Sequence, residues 1–142
     1  MGMQDKYSKH DFNFIPETFI LPDEFSEFYS TFHREKHSMW IIKPSCSSRG
    51  RGIYLIDSIK EVPVDDDVVI SKYVHNPLLI NGLKFDLRIY VSVTSFEPLK
   101  IFVFPEGLAR FACEVYAPGN KKNKYMHLTN YSVNKKHENF VQ

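Results

Sequence analysis

Residues 43–52 combine a lysine, serine hydroxyls, two arginines and two glycines within ten positions. They follow a predicted strand, residues 40–43. Glycines let backbone N–H groups approach an anion closely, and flanking cations neutralise its charge. This composition is typical of a phosphate-binding loop, although the GxxxxGK[ST] spacing of a Walker A loop is absent. Composition alone leaves a flexible surface hairpin with solvated charges as an equal alternative.

Residues 84–94 alternate strictly between apolar and other side chains, which predicts one long β-strand. One face of this strand would carry Lys84, Asp86 and Arg88. Cations can bind phosphates, and a carboxylate can bind ribose hydroxyls or a metal ion, so this face suits a nucleotide site. For the strand taken alone, a solvated face with cross-strand ion pairs is favoured. The opposite face would be wholly apolar: Phe85, Leu87, Ile89, Val91 and Val93.

Two later segments are also candidates for chemistry. Arg110 lies among apolar residues in the segment GLARFA, where an unpaired cation is costly. A carboxylate would relieve that cost, and a ligand or a structural partner could supply it equally well. Residues 127–132 form a polar run after a lysine-rich loop, and Asn130 can both donate and accept hydrogen bonds. Alone, this run could be a capped turn.

The elements that must position these residues can be predicted from periodicity. Apolar side chains at helical spacing predict an amphipathic helix of about three to four turns that begins near Asp23; they are Phe25, Phe28, Tyr29 and Phe32. Predicted strands cover residues 40–43, 53–56, 68–74, 84–94, 99–104 and 108–112. One helix followed by mostly adjacent strands favours an α+β fold with a largely antiparallel sheet.

The composition limits the class of protein. The chain has 142 residues, of which 43% are hydrophobic and 25% charged, so it can bury one core or form two small lobes. Cys46 and Cys113 lack zinc-site or CxxC spacing, which predicts free thiols in a reducing compartment. No segment approaches the roughly eighteen apolar residues of a membrane span. We therefore expect a cytosolic protein with neither a membrane nor a nucleic-acid partner.

Charge is unevenly distributed although the net charge is only +1. Five lysines lie near the end of the chain, and three aspartates stand together in the middle. Only the C-terminal part is therefore expected to attract an acidic partner. The lysines are Lys121, Lys122, Lys124, Lys135 and Lys136.

Taken together, five blocks resemble the tubulin tyrosine ligase-like family in their order and approximate spacing. They are KPSCSSRGRGI, YVHNPLLI, KFDLRIYV, EGLARFA and MHLTNYSVNKK, and they span roughly residues 14–140. Five blocks in register are far more specific than one motif, so the joint signal outweighs the structural alternatives for each. The segments SSRGRGIYLI and HLTNYSVNKK are most similar to those of polyglutamylases that modify tubulin tails.

The resemblance implies an ATP-grasp fold, with a flexible segment 1–13 followed by a partial ATP-grasp domain over residues 14–142. It also implies a ligase reaction. ATP would phosphorylate the γ-carboxylate of a protein glutamate, and the amine of free L-glutamate would attack the acylphosphate, forming an isopeptide bond. The implied cofactors are ATP and Mg²⁺, and the implied partners are free glutamate and the acidic C-terminal tails of tubulin. The expected location is the cytoplasm and microtubule cytoskeleton, including the basal body or axoneme of cilia.

The same resemblance assigns roles to residues of the first half. Lys43 is expected to hold ATP phosphates, while Arg49 and Gly50 form the flap above them and Arg49 also faces the acceptor protein. Residues 71–74 are expected to form a hinge segment whose backbone contacts adenine. The family often has Gln at the position of Ser71, so the contacts that the resemblance implies there are those of the backbone. The hinge segment consists of Ser71, Lys72, Tyr73 and Val74.

In the second half, the resemblance makes Lys84 and Arg88 catalytic, with Arg88 on the transferred phosphate or intermediate. Arg110 would bind the carboxylate of the incoming glutamate. Further nucleotide contacts are Lys84, Phe85, Asp86, Thr129 and Asn130. Beside the amino acid, the resemblance places Tyr131 or Ser132.

Family members bind magnesium through an Asp and a Glu-x-Asn pair well downstream of the HLTN block, so no metal ligand is expected here. We therefore expect this chain alone to be inactive or nearly so, with exposed apolar surface and marginal stability. Two alternatives are carried forward. One is a non-catalytic module that binds nucleotide or acidic tubulin tails through its lysine-rich loop. The other is a sister ligase that attaches glycine or tyrosine.

Overall fold

The computed structural model describes residues 12–47, 50–138 and 140. Most of the predicted flexible segment 1–13 therefore lies outside the described residues, and so does Arg49 of the predicted phosphate-binding loop. The chain divides into two compact units, Met1–Asn76 and Pro77–Gln142. The composition had left one core or two small lobes open, and the structure has two units.

In the first unit, the described strands form one sheet in the order β1-β4-β2-β3, and each neighbouring pair is antiparallel. The predicted helix is confirmed as α1, and the predicted strands are confirmed except that β4 ends two residues before Val74. The elements are β1 (Thr18–Leu21), α1 (Phe25–Arg34), β2 (Trp40–Pro44), β3 (Tyr54–Ile56), a 3-10 turn (Ile59–Glu61) and β4 (Val68–Lys72).

An aromatic core joins α1 to this sheet. Phe28 of α1 and Trp40 of β2 are fully buried, and their rings meet nearly at right angles with centroids 5.2 Å apart. Phe19 of β1 contacts Phe28 edge-on at 5.6 Å. Edge-to-face contacts are a favoured geometry for aromatic rings, and they add to the apolar burial. Because side chains alternate across a strand, Lys43 lies on the opposite face from Trp40 and the core.

In the second unit, β5, β6 and β9 form an antiparallel sheet, while β7 and β8 form an antiparallel hairpin. The fold is therefore mixed α+β, and its described strand pairs are antiparallel, as predicted. The elements are β5 (Leu79–Ile80), β6 (Leu83–Arg88), β7 (Val91–Phe96), β8 (Leu99–Val103), β9 (Leu108–Val115), α2 (Lys124–His127) and α3 (Tyr131–Asn134).

The prediction of one strand over residues 84–94 is wrong. Strand β6 pairs with β9 as far as Arg88 and Leu108, whereas β7 pairs with β8 from Val91 onwards. The strand partner changes near Gly107, whose backbone comes very close to the end of β6. A Cβ at Gly107 would lie 2.5 Å from the carbonyl oxygen of Arg88. Pro105 also has no N–H to donate to a ladder. The alternation of side chains continues across this point and therefore hides the break.

Many large apolar side chains are exposed in the second unit. This confirms the expectation of exposed apolar surface. Leu87, on the predicted apolar face, is 61% exposed, and Phe104 after β8 is 58% exposed. Burial is concentrated instead where β9, α2 and the following segment meet, at Ala112, Met126, Leu128 and Val133.

Two further predictions can be compared with the structure. Cys46 and Cys113 are free thiols, as the spacing predicted. Within the described part of the chain, no helix is both long enough and apolar enough to cross a bilayer.

Candidate functional site

Lys43 and Ser71, two predicted nucleotide residues, are neighbours in the first unit. The Lys43 ammonium donates to the Ser71 hydroxyl over 3.4 Å. Ser71 is 6% exposed, and its oxygen also accepts a hydrogen bond of 3.1 Å from the Thr18 hydroxyl. Lys43 itself is exposed at the end of β2. The sheet thus presents this cation to solvent at the start of the predicted phosphate-binding loop.

The described part of the predicted phosphate-binding loop contains two glycines with positive φ. Gly50 and Gly52 have φ values of 77° and 68°, in the region that favours glycine. A Cβ on Gly52 would also lie 2.9 Å from Cγ of Pro44. Ser47 closes the turn with a 2.9 Å hydrogen bond from its hydroxyl to the Arg51 carbonyl. Glycine is therefore required by the backbone here.

Lys72 and Tyr73 of the hinge segment are bonded within the protein. The Lys72 N–H donates to the Glu17 carbonyl and the Tyr73 N–H to the Met39 carbonyl, both over 2.8 Å. The Lys72 ammonium pairs with Glu35 at 2.6 Å, and chiefly that hydrogen bond lowers the pKa of the Glu35 carboxyl. The Tyr73 side chain is buried. The backbone N–H groups of these two residues are therefore already used within the protein, whereas the Lys72 side chain stays 38% exposed.

Val74 differs from its neighbours in the hinge segment. It is exposed, and no hydrogen bond within the described part of the chain uses its N–H. A groove of about 400 Å³ runs beside it, bordered by Phe14, Pro16 and residues 72–76. Val74 therefore borders this groove, and the described residues leave its backbone N–H without a hydrogen bond.

The second unit holds the most tightly bonded group of predicted site residues. Asp86 on β6 faces Arg110 on β9 in the strand register, and the two form a bidentate ion pair. Arg110 Nε donates to Asp86 Oδ1 over 2.7 Å, and a terminal guanidinium nitrogen donates to Oδ2 over 2.9 Å. The Thr129 hydroxyl also donates to Oδ2. Arg110 thus has the structural carboxylate partner that was one of its two predicted alternatives.

Lys84, two residues before Asp86 on β6, also bonds the segment that carries Thr129. Its ammonium donates to the His127 carbonyl over 2.8 Å. Lys84 and Asp86 therefore share one face of β6, as predicted, and both bond to residues 127–129. We call Lys84, Asp86, Arg110 and Thr129 the Asp86 cluster.

Local electrostatics favour the ionised form of Asp86. Partial burial acts to raise the pKa of its carboxyl, but hydrogen bonds from Arg110 and Thr129 and the charges of Arg110 and Arg88 outweigh it. The net pKa of Asp86 lies below its ordinary value. A carboxylate that accepts several hydrogen bonds is stabilised in its charged form.

His127 is held neutral beside the cluster. The residue is 2% exposed, and burial is the main cause that lowers the pKa of its imidazole. The positive charge of Lys84 lowers it further, while the 2.8 Å hydrogen bond between Nε2 and the Asn120 carbonyl acts in the opposite direction. A neutral ring that donates from Nε2 satisfies this contact.

We expect the second unit to lose stability as the pH falls. The unfolded chain protonates His127 at about pH 6.5, whereas the folded chain resists, so unfolding takes up a proton below that value. Asp86 adds a second loss below about pH 4, because its stabilisation disappears as the pH falls through its lowered folded pKa. Amide hydrogen exchange of β9 from pH 7.5 to 5 would measure the first phase. His127→Gln should flatten it; an equal slope in this variant would contradict the assignment.

The other predicted residues of the second unit lie around the cluster. Arg88 is exposed, and no hydrogen bond of the described residues uses its guanidinium. The Phe85 ring packs on Phe111 at 5.7 Å. Asn130 precedes α3 and makes no side-chain capping bond. Tyr131 is about half exposed, and its ring contacts Phe140.

A cavity of about 680 Å³ joins part of this set. Arg110, Thr129 and Tyr131 border it together with mostly apolar residues. Ser132 follows Tyr131 in α3 and is half-buried. The cavity thus brings together one predicted nucleotide residue, Thr129, and two predicted substrate residues.

Sequence analysis gave no role to Asn134 or Glu114. Asn134 is 1% exposed and its carboxamide bonds three backbone groups. Glu114 accepts a 2.5 Å hydrogen bond from Asn123 and pairs with His137 at 2.9 Å. Hydrogen bonds made by single polar side chains leave no periodic signal in a sequence, whether the partner is four residues away, as Asn130 is from Asn134, or 21, as Cys113 is. Asn134 lies within the MHLTNYSVNKK block, which was the one available indication.

Among the described residues, no three His, Cys, Asp or Glu side chains converge on a site that could hold a metal ion. The Asp86 carboxylate is already bonded to Arg110 and Thr129. The donor set described here does not fit magnesium.

The sequence pattern that defines the tubulin-tyrosine ligase family matches residues 1–142. This chain belongs to the tubulin-tyrosine ligase family. Several relatives within the tubulin-tyrosine ligase family match nearly all of it. It is 47% identical over 141 residues to tubulin polyglutamylase TTLL5 of Mus musculus, covering 98% of this chain. It is 45% identical over 140 residues to tubulin monoglutamylase TTLL4 of Homo sapiens, and 44% identical over 145 residues to tubulin polyglutamylase TTLL6 of Mus musculus.

The chain spans a small part of these relatives. The match covers 10% of the mouse TTLL5 protein, 12% of human TTLL4 and 18% of mouse TTLL6. In this chain, the match to TTLL4 covers 97% and the match to TTLL6 covers 100% of the residues. Both units of the structure therefore fall within the region shared with the tubulin-tyrosine ligase family.

Proposed function

We propose that this chain is the ATP-binding part of an ATP-grasp ligase that attaches glutamate to tubulin. One observation carries the proposal: three separate sequence blocks converge on the Asp86 cluster. KFDLRIYV supplies Lys84 and Asp86, EGLARFA supplies Arg110, and MHLTNYSVNKK supplies Thr129. The relatives named as tubulin polyglutamylases support tubulin as the acceptor and glutamate as the group that is attached.

The residues of the first unit fit the two ends of a nucleotide. Lys43 offers an exposed ammonium beside a glycine turn, which suits the phosphates. Val74 offers a backbone N–H beside a groove, which suits a base edge. We assign the phosphates to Lys43 with Gly50, and adenine to the hinge segment through Val74 rather than through the side chains of Lys72 and Tyr73.

The residues of the second unit fit the charge of the reaction. Lys84 is oriented by the His127 carbonyl, and Asp86 is held ionised, so they can bind a nucleotide's phosphates and hydroxyls respectively. Asn130 offers a further amide next to Thr129. Arg88 is exposed, so it can approach the transferred phosphoryl group. Preorganised cations of this kind stabilise the charge that develops during transfer.

In the proposed reaction, ATP supplies the phosphoryl group that activates the γ-carboxylate of a tubulin glutamate. The amine of free glutamate then displaces phosphate to form the isopeptide bond. Arg110 retains three N–H donors beyond the two that bond Asp86, and these can bind the carboxylate of the incoming amino acid beside Tyr131 and Ser132. The described residues do not build a magnesium site. We place the whole protein in the cytoplasm on microtubules, including those of cilia.

Calorimetric titration with ATP tests the nucleotide site. We expect saturable binding by the chain, weakened by about ten-fold or more in Lys43→Ala and in Lys84→Ala, because each removes a charged hydrogen bond to the ligand. Lys60→Ala and Lys100→Ala remove exposed lysines from the same two units and should bind as the parent chain does. Absence of binding at millimolar ATP, or equal losses in the control variants, would refute the assignment.

A specific contact favours a second candidate, a module that binds acidic peptides. Glu114 bonds both Asn123 and His137, and the rings of Tyr125 and His137 lie 4.6 Å apart. The two lysine groups are therefore adjacent in the fold: Lys121, Lys122 and Lys124 with Lys135 and Lys136.

Binding of a glutamate-rich peptide without ATP binding would favour this module. ATP consumption by a longer form given glutamate and tubulin would favour the ligase, and glycine or tyrosine in place of glutamate would identify a sister activity.

A further inference from the structure

Asn134, the last residue of α3, is buried, and both the oxygen and the nitrogen of its carboxamide are hydrogen-bonded. It is 1% exposed, and its Oδ1 accepts a 3.2 Å hydrogen bond from the Cys113 N–H on β9. Its Nδ2 donates to the Leu128 carbonyl over 2.8 Å and to the Asn130 carbonyl over 3.2 Å. Both N–H bonds of a carboxamide are thus used, and each partner is a backbone group.

These three bonds fix the segment that carries Thr129. Leu128 and Asn130 flank Thr129 directly, and each gives its carbonyl to the same carboxamide. The third bond anchors that carboxamide to β9, the strand that carries Arg110. Because the peptide units on both sides of Thr129 are planar and each is held by Asn134, the backbone rotations that would turn the Thr129 side chain away are restricted.

The direction of the Thr129 side chain matters because its hydroxyl donates to Asp86. Asp86 also accepts two hydrogen bonds from Arg110, so the bond from Thr129 is the third that this carboxylate accepts from described residues. A carboxylate bonded from several directions is held in one orientation. A residue that keeps Thr129 in place therefore also keeps Asp86 in place.

We propose that Asn134 is a positioning residue of the nucleotide site, which holds Thr129 against Asp86 without contacting the ligand. This inference rests on the proposed function for its effect on ATP, while its effect on Asp86 is independent of that function. A packing role alone would affect folding but would leave the environment of Asp86 unchanged in the folded fraction. The proposal predicts a specific change at Asp86, transmitted through Thr129.

The experiment compares the 142-residue chain with Asn134→Ala, Thr129→Val and the double variant. NMR titration of the Asp86 carboxyl reports its pKa, and calorimetry reports ATP affinity. We expect each single variant to raise the pKa of Asp86 and to weaken ATP binding by roughly three- to ten-fold, the size of one lost hydrogen bond. The double variant should do no more than either single variant, because both act on the same bond.

Asn123→Ala is the matched control, because it removes another carboxamide of this unit, one that caps α2 and bonds Glu114 but makes no bond to residues 128–130. It should leave the Asp86 titration and ATP affinity as in the parent chain, even where it lowers the melting temperature. If Asn134→Ala does not fold, Asn134→Ser keeps one hydroxyl for one of the three backbone groups and serves in its place.

An Asp86 pKa that rises in Thr129→Val but not in the Asn134 variants would overturn the proposal, and so would additive effects in the double variant. If the parent chain binds no ATP, the proposed function fails, and the Asp86 titration alone then decides the role of Asn134.

Discussion

Phe28→Ala is expected to destabilise the first unit by about 3–5 kcal/mol, the usual cost of removing a buried aromatic ring. Phe28 is fully buried between Phe19 and Trp40, so its loss empties the centre of the aromatic core. Because a domain is commonly stable by only about 5–15 kcal/mol, this one change should bring the unit close to unfolding. Trp40 is the single tryptophan of the chain, so its fluorescence during urea unfolding measures this unit.

Tyr29→Ala provides the matched control for Phe28→Ala. Tyr29 is the next residue of α1, but it is 46% exposed, so its removal should cost far less. Similar losses for Phe28→Ala and Tyr29→Ala would show that the helix does not pack as described. Trp40 Nε1 is buried without a hydrogen-bond partner among the described residues, so fluorescence from this site should change sharply when water enters.

Breaking the Asp86–Arg110 pair is expected to give the second large effect. Asp86→Ala and Arg110→Ala should each destabilise the second unit by about 2 kcal/mol, because each leaves a half-buried charge without its bidentate partner. The two side chains are 33% and 31% exposed, so solvent can partly compensate for the loss. Hydrogen exchange of β9 amides measures the effect, since slowly exchanging core amides report unfolding of their own unit.

The double variant separates a true pair from two independent residues. If the ion pair accounts for the losses, removing both partners should cost less than the sum of the single changes by about 1–2 kcal/mol. Glu97→Ala, at the turn of the β7–β8 hairpin, removes an unrelated carboxylate and should leave β9 exchange unchanged. Strict additivity would mean that the contact contributes little to the stability of the unit.

The Asp86–Arg110 pair also bears on how the proposed ligase could bind its donor. Arg110 cannot give all five N–H groups to a glutamate carboxylate while Asp86 holds two of them. The ion pair fixes the plane of the Arg110 guanidinium, so its three remaining N–H donors point in set directions in which a glutamate carboxylate can accept them. In this arrangement Asp86 orients Arg110, while Thr129 and Asn134 orient Asp86.

The sequence by itself determined the family, the helix α1 and most strands of the first unit. Five blocks in register carry family membership, and the spacing of Phe25, Phe28 and Phe32 predicts which face of α1 is buried. It also placed Lys84 and Asp86 on one face. These are local properties, because side-chain direction repeats with the period of the element.

Tertiary structure alone decided which residues become partners. Strand pairing ended β6 at Arg88, although the alternation continues to Thr94. The sequence left two partners open for Arg110, and the register of β6 on β9 selected Asp86. Asn134 lies in the MHLTNYSVNKK block, but its role could not be predicted from it, because that role depends on bonds to Cys113 and Leu128 that form only in the folded chain. Local patterns fix how each element presents its side chains, whereas contacts between distant segments depend on register and turn geometry.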